Sequence, residues 1–373
     1  MFARAGTSRG AFIRRSDLPE DPALLDAVIL SAYGSPDPRQ IDGIGGGDAL
    51  TSKVAVVAPS QHPNADVDYT FGQVSVDSAA IFWVGNCGNM SSGVGPFAIR
   101  MGMVQAVSPL TKVRIFNTNT NKILIAEVEV ADGEVVEDGE CRIAGVPGSG
   151  SPIALDFGDC GGAETGSTLP TGKVRESVRL RDGTTVEVSI VDAATPFVFV
   201  LAQAIGMQGT ESAAEIDADA QLLGRLEEIR SYAARAIGLV KGEEVAREVS
   251  PSIPRVVAVS PPTDYVCADG TPVAAKDISV VARQQSMQRT HKTYSVTGTL
   301  CTGVAGAIAG TVVHDIARSD GFHFNIGHPG GVISARIQVD QADGDIRVVE
   351  ASLVRTARTI LEGNLKVPKR IWP

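Results

Sequence analysis

From Val67 onward the chain alternates apolar and polar positions: Val67, Tyr69 and Phe71, then Val74 and Val76, with polar residues between them. A two-residue period marks half-buried strand, here a strand pair. Earlier, Leu24, Leu25, Val28 and Ile29 recur at helical spacing, with Asp21 placed to cap that helix and Pro22 suited to its first turn. Between the two, a Gly-, Pro-, Asp- and Ser-dense loop from Gly34 runs into the apolar strand Lys53-Val-Ala-Val-Val57. Residues 112–130 read as a hairpin or meander, with a turn signal at Asp132-Gly133. Residues 145–172 carry little periodicity and read as a long irregular connection. Strand-like sequence returns over 184–201. A helix is expected over 218–236, with Leu222, Leu226, Ile229 and Ala233 on one face. Strands follow near 254–259, 278–283, 332–339 and 346–355, the last two joined by a turn at Asp343-Gly344. Between the strands at 278–283 and 332–339 lies a Gly/Ala-rich stretch from Thr299 to Val313.

The two halves share a weak internal likeness. Asn86-Cys87 through Ile99 resembles Cys301 through Ile308, each placing a cysteine at the start of a small-residue helix that follows a strand. The reading is two similar α+β domains related by pseudo-symmetry, with a small-molecule site in the cleft between them. The expected divisions are 1–183, 184–345, and a tail over 346–373 packing back on the first domain.

Composition narrows the function. With 43% hydrophobic and 20% charged residues in 373, the chain has material for a sizeable core. A formal charge of −10 argues against a nucleic-acid partner. No run is long enough to span a membrane, and the first ten residues lack the apolar core of a signal peptide. The five cysteines show neither zinc spacing nor a disulfide pattern, so a reducing cytoplasm is the expectation, with no metal.

Burying a lysine is expensive, so Lys53 at the loop–strand junction is either an edge-strand charge or a base tuned by desolvation. A cysteine in a helix's first turn sits in the field of unpaired backbone N–H groups, which acidifies a thiol and can hold a carboxylate. Cys87, flanked by Asn86, Gly88 and Asn89, is the stronger candidate, and Cys301, beside Thr302 and Gly303, the weaker. Inert buried thiols are the expectation for Cys141, Cys160 and Cys267. Thr7-Ser8, Arg39, Thr51-Ser52 and His328 add further anion-cradle segments, and together they suggest a substrate with more than one carboxylate.

These segments carry a resemblance. Arg4–Gly10, Gly34–Gly43, Leu50–Val57, Asp66–Tyr69, Asn86–Asn89 and Gly93–Ile99 resemble the PrpF family, which contains 2-methylaconitate, 3-methylitaconate and aconitate isomerases and 4-oxalomesaconate tautomerases. The resemblance extends through Cys301, Gly327-His328-Pro329 and Arg355–Arg358. It implies a diaminopimelate-epimerase-like fold, each domain a sheet wrapped around a central helix. It also implies proton shuttling without a cofactor, with the family's essential lysine and cysteine on Lys53 and Cys87. Cys301 would be the second cysteine of the epimerase relatives. Three readings stay open. One is an allylic isomerase of an unsaturated polycarboxylate, oxalomesaconate included. The second is a two-thiol epimerase using Cys87 and Cys301, and the third a catalytically idle carboxylate-binding protein. A homodimer is compatible with each.

Overall fold

The computed structural model describes residues 1–158, 160–242, 244–319, 322–342 and 345–372. The expected turn at Asp343-Gly344 lies outside them. The chain divides into two compact units, one of Met1–Asp156 with Val354–Pro373 and one of Phe157–Leu353. No helix among the described residues is long and apolar enough to cross a membrane.

In the first unit the strands neighbour one another in the order Ala357–Leu361, Phe2–Ala5, Ser8–Arg14, Lys53–Pro59, Val67–Val74, Leu110–Asn117, Lys122–Ala131 and Ile153–Asp156. Two neighbour pairs are parallel: Ser8–Arg14 with Lys53–Pro59, and Val67–Val74 with Leu110–Asn117. The helix Pro22–Tyr33 lies between the strands of the first pair in sequence, its N-terminus capped by the Asp21 carboxylate. It buries Val28, Ile29 and Tyr33 against Ala11, Val54 and Val56.

The helix Gly88–Arg100 packs against strands from both ends of this order, from Phe2–Ala5 to Lys122–Ala131, so the sheet wraps around it. Every residue from Gly88 to Ile99 is buried. Small residues make that approach possible. A Cβ on Gly93 would lie 2.3 Å from Phe12 Cζ, and one on Gly95 would lie 2.9 Å from Val128 Cγ2. Phe12 is itself fully buried and cannot swing out. Gly93→Val is therefore expected to lower the unfolding free energy by about 1–3 kcal/mol through overpacking. Urea denaturation reads this out, and a variant as stable as the parent would mean the wrap is looser than the contacts imply.

The second unit repeats the plan. Its order is Glu176–Arg179, Thr185–Ala193, Thr195–Leu201, Arg255–Ser260, Val280–Ser286, His323–His328, Gly331–Ala342 and Asp345–Arg355. Parallel pairs recur at the corresponding places, Thr195–Leu201 with Arg255–Ser260 and Val280–Ser286 with His323–His328. An outer helix, Ala220–Ala236, buries Leu222, Leu226, Ile229 and Ala233 against Val186, Val188, Val198 and Val256. A central helix, Val296–Ala307, packs on Thr185–Ala193, Thr195–Leu201 and Gly331–Ala342.

The α+β expectation, with a sheet around a central helix in each half, therefore holds. The sequence reading missed several strands. Phe2–Ala5 and Ser8–Arg14 form a hairpin through Gly6, at φ +52°, where a glycine-rich anion loop was expected. Ile153–Asp156 lies inside the segment expected to be irregular, and His323–His328 and Ala357–Leu361 also went unread. These strands are short or rich in small and polar residues, so their pairing depends on neighbours distant in sequence.

Candidate active site

Lys53 is the first residue of its strand, paired with Gly10 on one side and Gln73 on the other. It is 5% exposed. Its Nζ donates to Gln73 Oε1 at 2.6 Å and lies 5.2 Å from the centroid of the Phe71 ring, two residues along the same partner strand. Its backbone is pinned as well. The Tyr33 hydroxyl donates to the Lys53 carbonyl and accepts from the Ala11 N–H at 2.9 Å. Burial pushes the Tyr33 phenol well above its ordinary range, so this donor stays protonated. The amine is thus held on a rigid element by a neutral acceptor.

The helix Gly88–Arg100 begins in the same unit. Cys87 is its N-cap residue, 7% exposed, and makes no capping bond with its side chain. The first-turn N–H groups of this helix are thereby left uncapped by the cysteine. Asn89 ties the helix start to the hairpin turn: its Oδ1 accepts from the Thr7 N–H at 3.2 Å and its Nδ2 donates to Thr7 Oγ1 at 3.1 Å. A Cβ on Gly6 would lie 2.0 Å from Asn89 Oδ1, so only glycine permits this contact. The Asn86 side chain accepts from Ser91 Oγ at 3.4 Å. Ser8 is buried at 2% exposure, and its Oγ has no hydrogen-bond partner among the described residues.

The remaining candidates of this unit sort differently. Ser52 is fully buried and donates to Gln40 Oε1 at 2.7 Å, an acceptor shared with the Gly47 N–H. It closes the loop that delivers Lys53. Thr51 Oγ1 turns back to the Asp48 carbonyl, and Arg39 is exposed. Gln40 and Gln73, both buried polar residues at this junction, were missed by the sequence reading. Each is chosen by a partner across a loop or hairpin that no local pattern reveals.

The second unit corrects one expectation. Cys301 is not at a helix start. The helix runs from Val296, capped by Ser295, whose Oγ accepts from the Gly298 N–H at 3.0 Å. Cys301 lies in the second turn, fully buried, its Sγ directed to the Val191 carbonyl at 3.3 Å. Burial pushes its thiol well above the ordinary range, opposite to what a reactive thiolate needs. Thr302 is bonded to the Tyr294 hydroxyl and the Gly298 carbonyl, and Gly303 sits against Ile337. Both are packing positions. His328 is 1% exposed, stacked on Tyr294, with its Nδ1 accepting from the Gly330 N–H.

The shared topology supplies the true correspondence between halves. Gly10 pairs with Lys53, and Phe197 pairs with Arg255, each at the third residue of one parallel strand and the first of the next. Lys53 therefore corresponds to Arg255, and Cys87 to Ser295, both N-caps. Cys301 corresponds to Gly93. Counted from the first residue of each strand, Val67 and Val280, Gln73 corresponds to Ser286. The Arg255 guanidinium donates to Ser295 Oγ at 3.3 Å and Thr297 Oγ1 at 3.1 Å. The first unit thus carries an amine that can lose a proton and a thiol at an uncapped helix. The second carries a guanidinium that stays charged and a serine-capped helix.

Comparison with known proteins agrees with this layout. The family model described as "PrpF protein" matches residues 1–368. The chain is 49% identical over 372 residues to a 3-methylitaconate isomerase from Eubacterium barkeri, covering 99% of this chain and 97% of that protein. It is 37% identical to a 2-methyl-aconitate isomerase from Cupriavidus necator (98% and 96% covered) and 38% identical to a (4E)-oxalomesaconate Delta-isomerase from Novosphingobium sp. (97% and 95%). Among solved structures, a methylitaconate-delta-isomerase superposes with a TM-score of 0.80 at 48% identity, covering 97% of this chain and 93% of that one. A probable proline racemase from Agrobacterium radiobacter, at 13% identity and a TM-score of 0.57 (98% and 94% covered), shares the fold. The chain has a diaminopimelate-epimerase-like fold and is an isomerase belonging to the PrpF family.

Proposed function

We propose that this isomerase moves a C=C bond by a 1,3-proton shift in a branched unsaturated di- or tricarboxylate, methylitaconate first among them. The observation that carries the reading is the asymmetry between the two repeats: only the first pairs a buried, neutral-acceptor-bound lysine with a cysteine at an uncapped helix start. Lys53 takes a proton from the carbon allylic to the C=C bond, which in methylitaconate is the methyl-bearing carbon α to a carboxylate. The C–H electron pair forms a C=C bond to that carboxylate's carbon, and the carboxylate π pair moves onto oxygen, giving a dienolate with the old double bond still in place. The N–H groups at the start of Gly88–Arg100 hold that anion, which is where a helix N-terminus helps most. As the charge returns from oxygen, the new C=C bond forms between the allylic carbon and its neighbour, Cys87 gives its proton to the far carbon of the old double bond, and the Lys53 ammonium proton restores the thiol. The chemistry needs no cofactor, and a reducing compartment keeps Cys87 a thiol.

Support for methylitaconate comes from the 49% identical relative named for it. The relative named an oxalomesaconate isomerase favours a second reading with the same proton shift on a keto acid. Proton NMR in D2O with cis- and trans-aconitate, 2-methylaconitate, methylitaconate and oxalomesaconate tests both. Deuterium uptake with new product signals in one acid, which for methylitaconate means loss of its =CH2 signals and a new methyl signal, is the expected result and names the substrate. Folded, reduced protein that exchanges none of them would refute the proposal.

A further inference from the structure

We infer that Gln73 is a positioning residue that keeps Lys53 usable as a base, an inference that rests on the reading of Lys53 above. The orientation of the Gln73 amide is dictated by its surroundings. Nε2 donates to the Ser52 carbonyl at 2.9 Å and to the Ala49 carbonyl at 3.1 Å. An amide oxygen in that place would face two other oxygens, so Oε1 has to point at Lys53 Nζ, where it accepts at 2.6 Å. Gln73 is 5% exposed, so water does not compete for either end.

A neutral amide oxygen accepts from an ammonium and, more weakly, from a free amine, because both keep N–H donors. The bond therefore survives loss of the proton and fixes where the amine lone pair points. A carboxylate in the same place would favour the ammonium by charge and make proton abstraction harder. The second repeat supports the pairing of function: where lysine is replaced by Arg255, the position of Gln73 is held by Ser286. The amide accompanies the amine and is absent where no proton can leave.

Other charged and titratable groups near this end of the strand are Arg9 beside Gly10, Tyr33 on the Lys53 carbonyl, Asp48 in the preceding loop, and Tyr69 and Cys87 at the helix start. Arg14 and Asp68 face the far end, opposite Val57 and Ala58. All are unchanged by substitution at Gln73 and form a constant background.

The test is the pH dependence of kcat for methylitaconate isomerisation in the unsubstituted enzyme, Gln73→Glu, Gln73→Met and Lys53→Met. The acidic limb of kcat reports proton loss from the base in the substrate complex. Gln73→Glu favours the charged amine and should move that limb to higher pH by about one unit or more. Gln73→Met removes the acceptor, so the limb should move to lower pH, with kcat down about 30-fold or more and KM within about threefold. If both Gln73 variants melt near the parent temperature and keep its limb and kcat while Lys53→Met is inactive, the positioning role is wrong and the base assignment stands. An active Lys53→Met overturns both; should the D2O exchange name another of the five acids as substrate, the same four enzymes are compared on that acid.

Discussion

Lys53→Met is expected to lower turnover by about 10³-fold or more, the upper part of what a positioned general base contributes, while the protein stays folded. Methionine nearly matches the lysine side chain in length and is apolar, so the slot beside Phe71 is refilled without a buried charge. The cost is the lone Gln73 Oε1, a buried acceptor deprived of its donor, worth about 1–3 kcal/mol. Removing a desolvated amine offsets part of that. The backbone of residue 53 keeps its bond from Tyr33 and its place between Gly10 and Gln73. The decisive comparison is therefore between activity and melting temperature in one preparation. Loss of turnover with the transition within a few degrees of the parent is the expected result. Near-native turnover would remove Lys53 from the chemistry altogether.

Lys53 was legible in the sequence because its signal is local: a turn-rich loop ends and an apolar strand begins on a charge. The outer helices were legible for the same reason, through caps and period. The Asp21 cap and the apolar stripe of Ala220–Ala236 both lie within one turn of what they explain. Gln73 and Gln40 were not legible, since each is selected by a partner twenty and twelve residues away across irregular chain. The internal repeat was sensed but set in the wrong frame. Both central helices are rich in small residues, Gly and Ser in the first and Gly, Ala and Thr in the second, and such segments match one another at several offsets. Aligning cysteine with cysteine equates Cys87 with Cys301, whereas the shared strand register, with each helix counted from its N-cap, equates Cys87 with Ser295. Register is fixed by long-range pairing, in which a slip of even one residue turns every side chain to the opposite face, so it carries more weight than local identity.

That frame leads to a contrast between the two thiols. Cys87→Ala is expected to lower kcat by about 10²-fold or more, because it removes the proton donor at the helix start and leaves the uncapped N–H groups in place. Cys301→Ala is expected to keep kcat within about threefold and to cost about 1–2 kcal/mol of stability from the lost packing, since Sγ is enclosed by buried strand backbone at Val191, Ala193 and Phe197. A two-thiol epimerase would lose activity with either substitution, because each thiol must serve one face of the reacting carbon. Equal loss in the two variants, with both still folded, would therefore restore Cys301 to the active site. Loss confined to Cys87→Ala would leave a one-thiol, one-amine device. An amine and a thiol attacking different carbons can move a double bond, and a serine-capped second helix has no thiol with which to invert a stereocentre.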